Sequence, residues 1–119
     1  MLLDFIESYR SIIQNWQIEE YDSTGPHLRF KVRIHFCDGS ILFIRQIILA
    51  ESVFKYAYHW QDSNGHLRCR WDNAPHWLEI ATFPHHKHLL QDDKEIIVCS
   101  KGGDLTDIFQ EIASYYKEL

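Results

Sequence analysis

At 119 residues, 45% hydrophobic, 24% charged and 14% aromatic, the chain has the bulk for one domain (1–119) and too little for two, and its composition excludes a disordered or fibrous protein. The longest apolar run, residues 47–50, falls far short of the roughly 18 residues of a membrane span, and the opening MLLDFIESYR has acids where a signal peptide has bases, so a soluble cytoplasmic protein is expected. The formal charge of −5 is uneven, at −4 over residues 1–26, +3 over 27–88 and −4 over 89–119, and six of the eight histidines fall within residues 59–88 of the basic middle.

Leu2, Phe5, Ile6, Tyr9, Ile12, Ile13 and Trp16 recur every three or four residues, with Asp4, Glu7, Arg10 and Gln14 between them, which predicts an amphipathic helix over residues 2–16. Gly25-Pro26 breaks the chain and the period drops to two. Leu28, Phe30, Val32, Ile34 and Phe36 then point one way, and His27, Arg29, Lys31, Arg33 and His35 the other. Asp38-Gly39 reads as a two-residue turn into a strand over 41–48, a register that sets Phe36 against Ile41 and Ile34 against Phe43. A second hairpin joins residues 53–60 to 66–71 through Asp62-Ser63-Asn64-Gly65, with Trp60 opposite Cys69 and His59 opposite Arg70. Residues 72–95 hold two prolines and no clean period, and read as a long loop with a short strand at 78–82; such loops in small domains are usually functional. A strand over 96–99 follows. Asp104 then caps a helix whose stripe is Leu105, Ile108, Phe109, Ile112, Tyr116 and Leu119. The expected class is α+β: N-terminal helix, antiparallel β-meander of five or six strands, C-terminal helix, both helices on one sheet face.

If the helices cover the apolar face, the other displays Arg29, Lys31, Arg33, His35, Lys55, His59, His66, Arg68 and Arg70, with Leu42 and Ile44 among them. Such a surface suits a phosphate backbone, because neutralised phosphates release counterions. The plain alternative is that a half-buried sheet must put its polar residues on the wet side. Chemistry concentrates in Arg70-Trp71-Asp72-Asn73-Ala74-Pro75-His76 and Phe83-Pro84-His85-His86-Lys87-His88. Two histidines, a base and an acid suffice for metal-independent RNA cleavage, one histidine taking the 2′-hydroxyl proton and another protonating the leaving oxygen while Arg70 steadies the phosphorane. In that scheme Arg70, Asp72, His76, His86 and His88 are catalytic and no cofactor is needed. Arg29, Lys31, Arg33, His59 and Arg68 guide the RNA, and Tyr58, Asn73 and Lys87 contact it. A divalent metal at His76, His86 and His88, or with Asp72 in place of His76, is the competing reading, giving a metal-dependent phosphoesterase or nucleotide-modifying enzyme, though no standard zinc spacing is matched; a third reading is a non-catalytic protein that acts by occupying a nucleic acid or a partner. Asp72-Asn73-Ala74-Pro75 also reads simply as an Asx turn.

Other motifs carry less. Gly102-Gly103 lacks the pattern of a phosphate cradle and reads as a helix lead-in. Cys37, Cys69 and Cys99 are odd in number and without a C-x-x-C pair, so they read as small buried hydrophobes in a reducing compartment. Exposed tyrosines and tryptophans would suit a homodimer.

The R-W-D-N-A-P-H run at 70–76, the F-P-H-H-K-H run at 83–88, the D-G-S turn at 38–40 and the Y-A-Y-H-W strand at 56–60 resemble the TumE family over residues 28–98. The resemblance implies a toxin of a bacterial toxin–antitoxin module, neutralised by a helix-turn-helix antitoxin of the TumA kind, with RNA as the natural substrate. Family members commonly carry Arg-Glu where this chain has Arg45-Gln46. If that acid serves activity, this chain departs at Gln46.

Overall fold

The computed structural model describes residues 2–49 and 53–117. Two helices, α1 (Leu2–Ser8) and α2 (Leu105–Lys117), accompany seven strands: β1 (Ile13–Asp22), β2 (Leu28–Phe36), β3 (Ile41–Leu49), β4 (Val53–Gln61), β5 (Leu67–Asp72), β6 (His86–Gln91) and β7 (Lys94–Cys99). The strands form one antiparallel sheet in chain order, β1 to β7. The α+β class holds, with seven strands where five or six were expected. Leu119, the last residue of the predicted C-terminal stripe, lies outside the described residues.

The extra strands come from two corrections. The N-terminal helix stops at Ser8 rather than Trp16, and residues 13–22 pair with β2 instead. Ile13 and Trp16 serve either reading, since both are packed against the core. The ladder wins because register shifts between Ile13 and Asn15 and between Ile18 and Glu20 let an imperfectly alternating segment keep pairing. The second correction lies in the predicted loop. Residues 86–91 form β6 between β5 and β7, while 78–82 make turns and no strand.

The first hairpin has a three-residue loop, not a two-residue one. The Phe36 amide donates to Ser40 O (2.9 Å) and the Gly39 amide to Phe36 O (3.0 Å), with Gly39 at φ +87°, where a side chain is strained. His35 therefore faces Ile41, and Ile34 faces Leu42. A one-residue slip exchanges the two faces of a strand. Leu42 and Ile44 accordingly lie in the core beside Val32 and Ile34, while Phe43 and Arg45 take the polar face. In the second hairpin Trp60 and His59 face Cys69 and Arg70 as expected, but a shift beyond Trp60 leaves Arg68 out of the ladder.

Both helices meet one face of the sheet. Phe109 of α2 stacks on Phe5 (5.2 Å) and Tyr9 (5.4 Å), and Tyr115 meets Trp60 edge-on. The core joins Ile108, Phe109 and Ile112 to Ile34, Phe36, Leu42, Tyr58 and Trp71. Asp104 caps α2, its Oδ1 accepting the Thr106 amide at 2.8 Å. Gly103 lies where no side chain fits, because a Cβ there would sit 2.6 Å from the Tyr56 ring. Of the described tyrosines and tryptophans only Tyr21 is exposed, five are half-buried and Tyr56, Tyr58, Trp60 and Trp71 are interior, so few of the rings expected at a homodimer surface are exposed. No helix among the described residues is long and apolar enough to cross a membrane.

Candidate functional site

On the sheet face away from the helices, strand register builds rows of side chains running across the strands. One row is Gln17, Arg33, Phe43, His59, Arg70, His88 and Ile97; the next is Glu20, Lys31, Arg45, Ala57, Asp72, His86 and Cys99. Alternation at β5 and β6 thus brings Arg70, Asp72, His86 and His88 together, although 14 residues of chain separate Asp72 from His86.

Asp72 is the hub. Its Oδ1 lies 3.0 Å from His86 Nε2 and accepts the Ala74 amide at 3.0 Å, while its Oδ2 lies 3.3 Å from His88 Nε2 and accepts Arg70 Nε at 3.2 Å. The Ala74 bond is the Asx turn read from the sequence, so turn and cluster share one carboxylate. The outer nitrogens of both rings are also engaged. His86 Nδ1 lies 3.0 Å from Pro84 O, and His88 Nδ1 lies 2.9 Å from Glu95 Oε2. His86 is 1% exposed, with Trp77 edge-on to its ring at 6.4 Å; Arg70, its side chain 40% exposed, and His88 form the cluster's open edge. Glu95 and Trp77 escaped the sequence reading. The signal for Glu95 is the β6–β7 hairpin, which a loop reading of residues 86–91 hides.

His59 stands next to Arg70 across the β4–β5 ladder. Half-burial and the neighbouring Arg70 guanidinium together lower its pKa below the usual histidine value of 6.5, against a smaller opposing hydrogen bond with Gln61. Its ring is therefore neutral at pH 7.

The other expected residues are placed differently. His76 is exposed in the 73–85 segment, and its side chain makes no hydrogen bond or ion pair with the cluster. Tyr58 lies on the opposite face at 0% exposure, donating its hydroxyl proton to Gly103 O (2.7 Å) and accepting from Gln46 Nε2 (2.8 Å). Burial pushes its pKa up to about 12. Lys87 also turns to the helix side, with Nζ 3.0 Å from Glu111, and Arg68 packs over Trp60 and Tyr115 while pairing with Asp38 at 2.8 Å. Asn73 continues the β4 ladder, accepting the Tyr56 amide (3.1 Å) and donating to Phe54 O (2.8 Å). Arg29, Lys31 and Arg33 do lie on the cluster's face, but β1 sets acids beside them. Asp22 pairs with Arg29 and Glu20 with Lys31 in register, and Glu19 accepts Arg33 Nη2 at 2.8 Å.

Gln46, the position flagged by the resemblance, also points to the helix side and away from Asp72. Of the motifs that carried the resemblance, D-G-S is a clasp. Asp38 accepts from the Ser40 amide and hydroxyl, Arg68 and Tyr116, and Trp60 Nε1 donates to Ser40 Oγ. R-W-D-N and H-K-H supply the cluster itself.

The family described as Toxin TumE matches residues 2–118, well beyond the 28–98 span of the motifs. No curated protein and no solved structure matches the chain. With nearly its full length accounted for, the chain belongs to the TumE family and is the toxin component of a toxin–antitoxin module, which implies an antitoxin partner.

Proposed function

We propose that this toxin arrests growth by cleaving RNA phosphodiester bonds at the Arg70, Asp72, His86 and His88 cluster. The observation that carries this reading is the convergence of a half-exposed guanidinium, a buried carboxylate and two imidazoles on adjacent strand positions, with a neutral His59 beside them. Arg70 supplies charge to a phosphate oxygen, where it stabilises the transition state more than the ground state. His59 accepts the proton of the attacking 2′-hydroxyl, a task that requires its uncharged form; as the 2′-oxygen bonds to phosphorus the P–O5′ bond breaks, and water at the open edge beside Arg70 protonates the leaving 5′-oxygen. Asp72 fixes Arg70 and both rings, and the buried His86 is a positioning residue. Neither His76 nor His86 is the base or the acid in this scheme, because His76 stands outside the cluster and both nitrogens of His86 are engaged. Arg45 and Lys55, exposed on the same face, extend a basic path that the β1 acids do not flank in register. The expected partner is a helix-turn-helix antitoxin of the TumA kind, acting with the toxin in the cytoplasm.

The test is growth after induction with total RNA followed on gels. Arg70→Ala and His88→Ala should abolish both arrest and RNA decay, whereas His76→Ala should keep both. With purified toxin and an RNA oligomer, the acid limb of the pH–rate profile should have its midpoint below 6.5, and His59→Gln should remove it. Arrest with intact RNA would overturn the proposed chemistry.

A further inference from the structure

The hydrogen-bond bookkeeping of the cluster points to an ion. A carbonyl oxygen only accepts, so the His86 Nδ1 facing Pro84 O carries a hydrogen, which leaves Nε2 as the ring nitrogen available to a ligand. His88 repeats the arrangement, with Nδ1 donating to the Glu95 carboxylate. Both Nε2 atoms are aimed at Asp72, which accepts Ala74 N–H on one oxygen and Arg70 Nε–H on the other. Three ligating atoms therefore converge, the two Nε2 atoms lying 3.0 and 3.3 Å from the Asp72 oxygens.

We infer that Asp72, His86 and His88 bind a divalent first-row transition ion through Oδ and the two Nε2 atoms. The three ligand atoms lie within 4.8 Å of one another, close enough to be drawn onto one centre. Two imidazoles and a carboxylate suit zinc, manganese, iron or cobalt and are a poor set for magnesium or calcium, which prefer oxygen. The outer contacts match what metal-binding histidines need. One ring is oriented by a backbone carbonyl and the other by a carboxylate, each holding the tautomer that frees Nε2. Three protein ligands leave further positions for water or substrate, and the exposed edge beside Arg70 is where a phosphate oxygen would reach them. Glu95 is then a positioning residue acting through His88. The inference rests on the reading of this cluster as the working site and supplies its cofactor, with the ion sharing the transition-state charge that Arg70 meets.

The experiment uses the full chain, purified, stripped with chelator and titrated with Zn²⁺ and with Co²⁺. About one ion should bind per chain, Co²⁺ should give the visible absorption of a nitrogen- and oxygen-ligated site, and chelation should lower the melting temperature. His88→Ala should weaken binding by at least ~100-fold and Glu95→Gln by ~10-fold or more. Cys99→Ser should leave binding unchanged, since Cys99 is paired with His86 in register but is not among the converging ligands. Should His88→Ala not fold, as judged by circular dichroism, Glu95→Gln carries the test, because Glu95 is exposed. No stoichiometric binding, or binding that survives both His88→Ala and Glu95→Gln, overturns the inference. RNA decay by ion-free toxin would also overturn it while leaving RNA cleavage intact. One bound ion with no effect on RNA keeps the metal site and discards the substrate.

Discussion

Asp38→Asn isolates a single charge in the clasp that ties the first hairpin to β5 and the end of α2. Burial raises the pKa of this carboxyl, but hydrogen bonds from Ser40, Arg68 and Tyr116 outweigh that effect and bring it from 3.8 down to about 2. Such a drop is worth ~2.4 kcal/mol at ~1.36 kcal/mol per pH unit. The side chain is 28% exposed, so solvent screening leaves about 1–2 kcal/mol. A folded-state pKa below the unfolded one stabilises the fold above the unfolded value, and that stability is lost as pH falls through the folded one. The contribution is therefore full above about pH 5, near half at about pH 3 and absent below about pH 2. Asparagine retains an oxygen for the Ser40 amide and removes the charge. Urea unfolding of wild type and variant should give a gap of about 1–2 kcal/mol at neutral pH that narrows toward pH 3. A gap that stays constant over that range would refute the electrostatic account, and no gap at neutral pH would refute the clasp.

Gly103→Ala should cost ~1–3 kcal/mol, read as a lowered melting temperature, because the new Cβ would meet two carbons of the buried Tyr56 ring at 2.6 Å; an unchanged melting temperature would mean that ring and loop move apart freely. Thiol titration of native protein should count Cys37 and Cys99, which are exposed, and miss Cys69 until the chain is unfolded, since burial pushes the Cys69 thiol well above its usual pKa. Gln46→Glu should lower stability by ~1–3 kcal/mol by replacing the donor to the Tyr58 hydroxyl with an acceptor, and should leave RNA decay unchanged because position 46 faces the helices. Faster RNA decay in Gln46→Glu would refute that separation.

How far the fold was legible depended on whether local pattern and tertiary pairing agreed. They agree in β2 and β4, whose strict alternation leaves one workable face, and in α2, where an N-cap precedes a clean apolar stripe. They conflict over residues 9–16, where Tyr9, Ile12, Ile13 and Trp16 suit both a helix stripe and a strand with bulges. Pairing with β2 decided the matter, and no residue of the segment announces it. Asp-Gly at 38–39 is ambiguous for a narrower reason. The dipeptide suits a two-residue turn, but it also suits a three-residue loop with glycine at positive φ, and the choice reverses which residues of β3 are buried.

The candidate site was legible in composition and illegible in geometry. Histidine clustering and the spacing H-x-H gave His86 and His88 correctly as neighbours on one side of an extended segment, yet only the β5–β6 register shows that Asp72 and Arg70 are the residues they face. By proximity in sequence His76 reads as their equivalent. It is not, because the chain leaves the sheet at Asp72 and returns at His86, so everything between is held by turns rather than by the ladder. The same logic revises the electrostatics. Counting bases along β2 gave a basic surface, but a sheet is charged by its rows, and β1 lays Glu19, Glu20 and Asp22 beside Arg33, Lys31 and Arg29. What survives is a shorter basic track over β3 to β5, through Arg45, Lys55 and Arg70, ending at the histidines. An acidic toxin with its positive charge confined to that track would bind RNA weakly elsewhere, so its salt dependence should reflect only a few phosphate contacts.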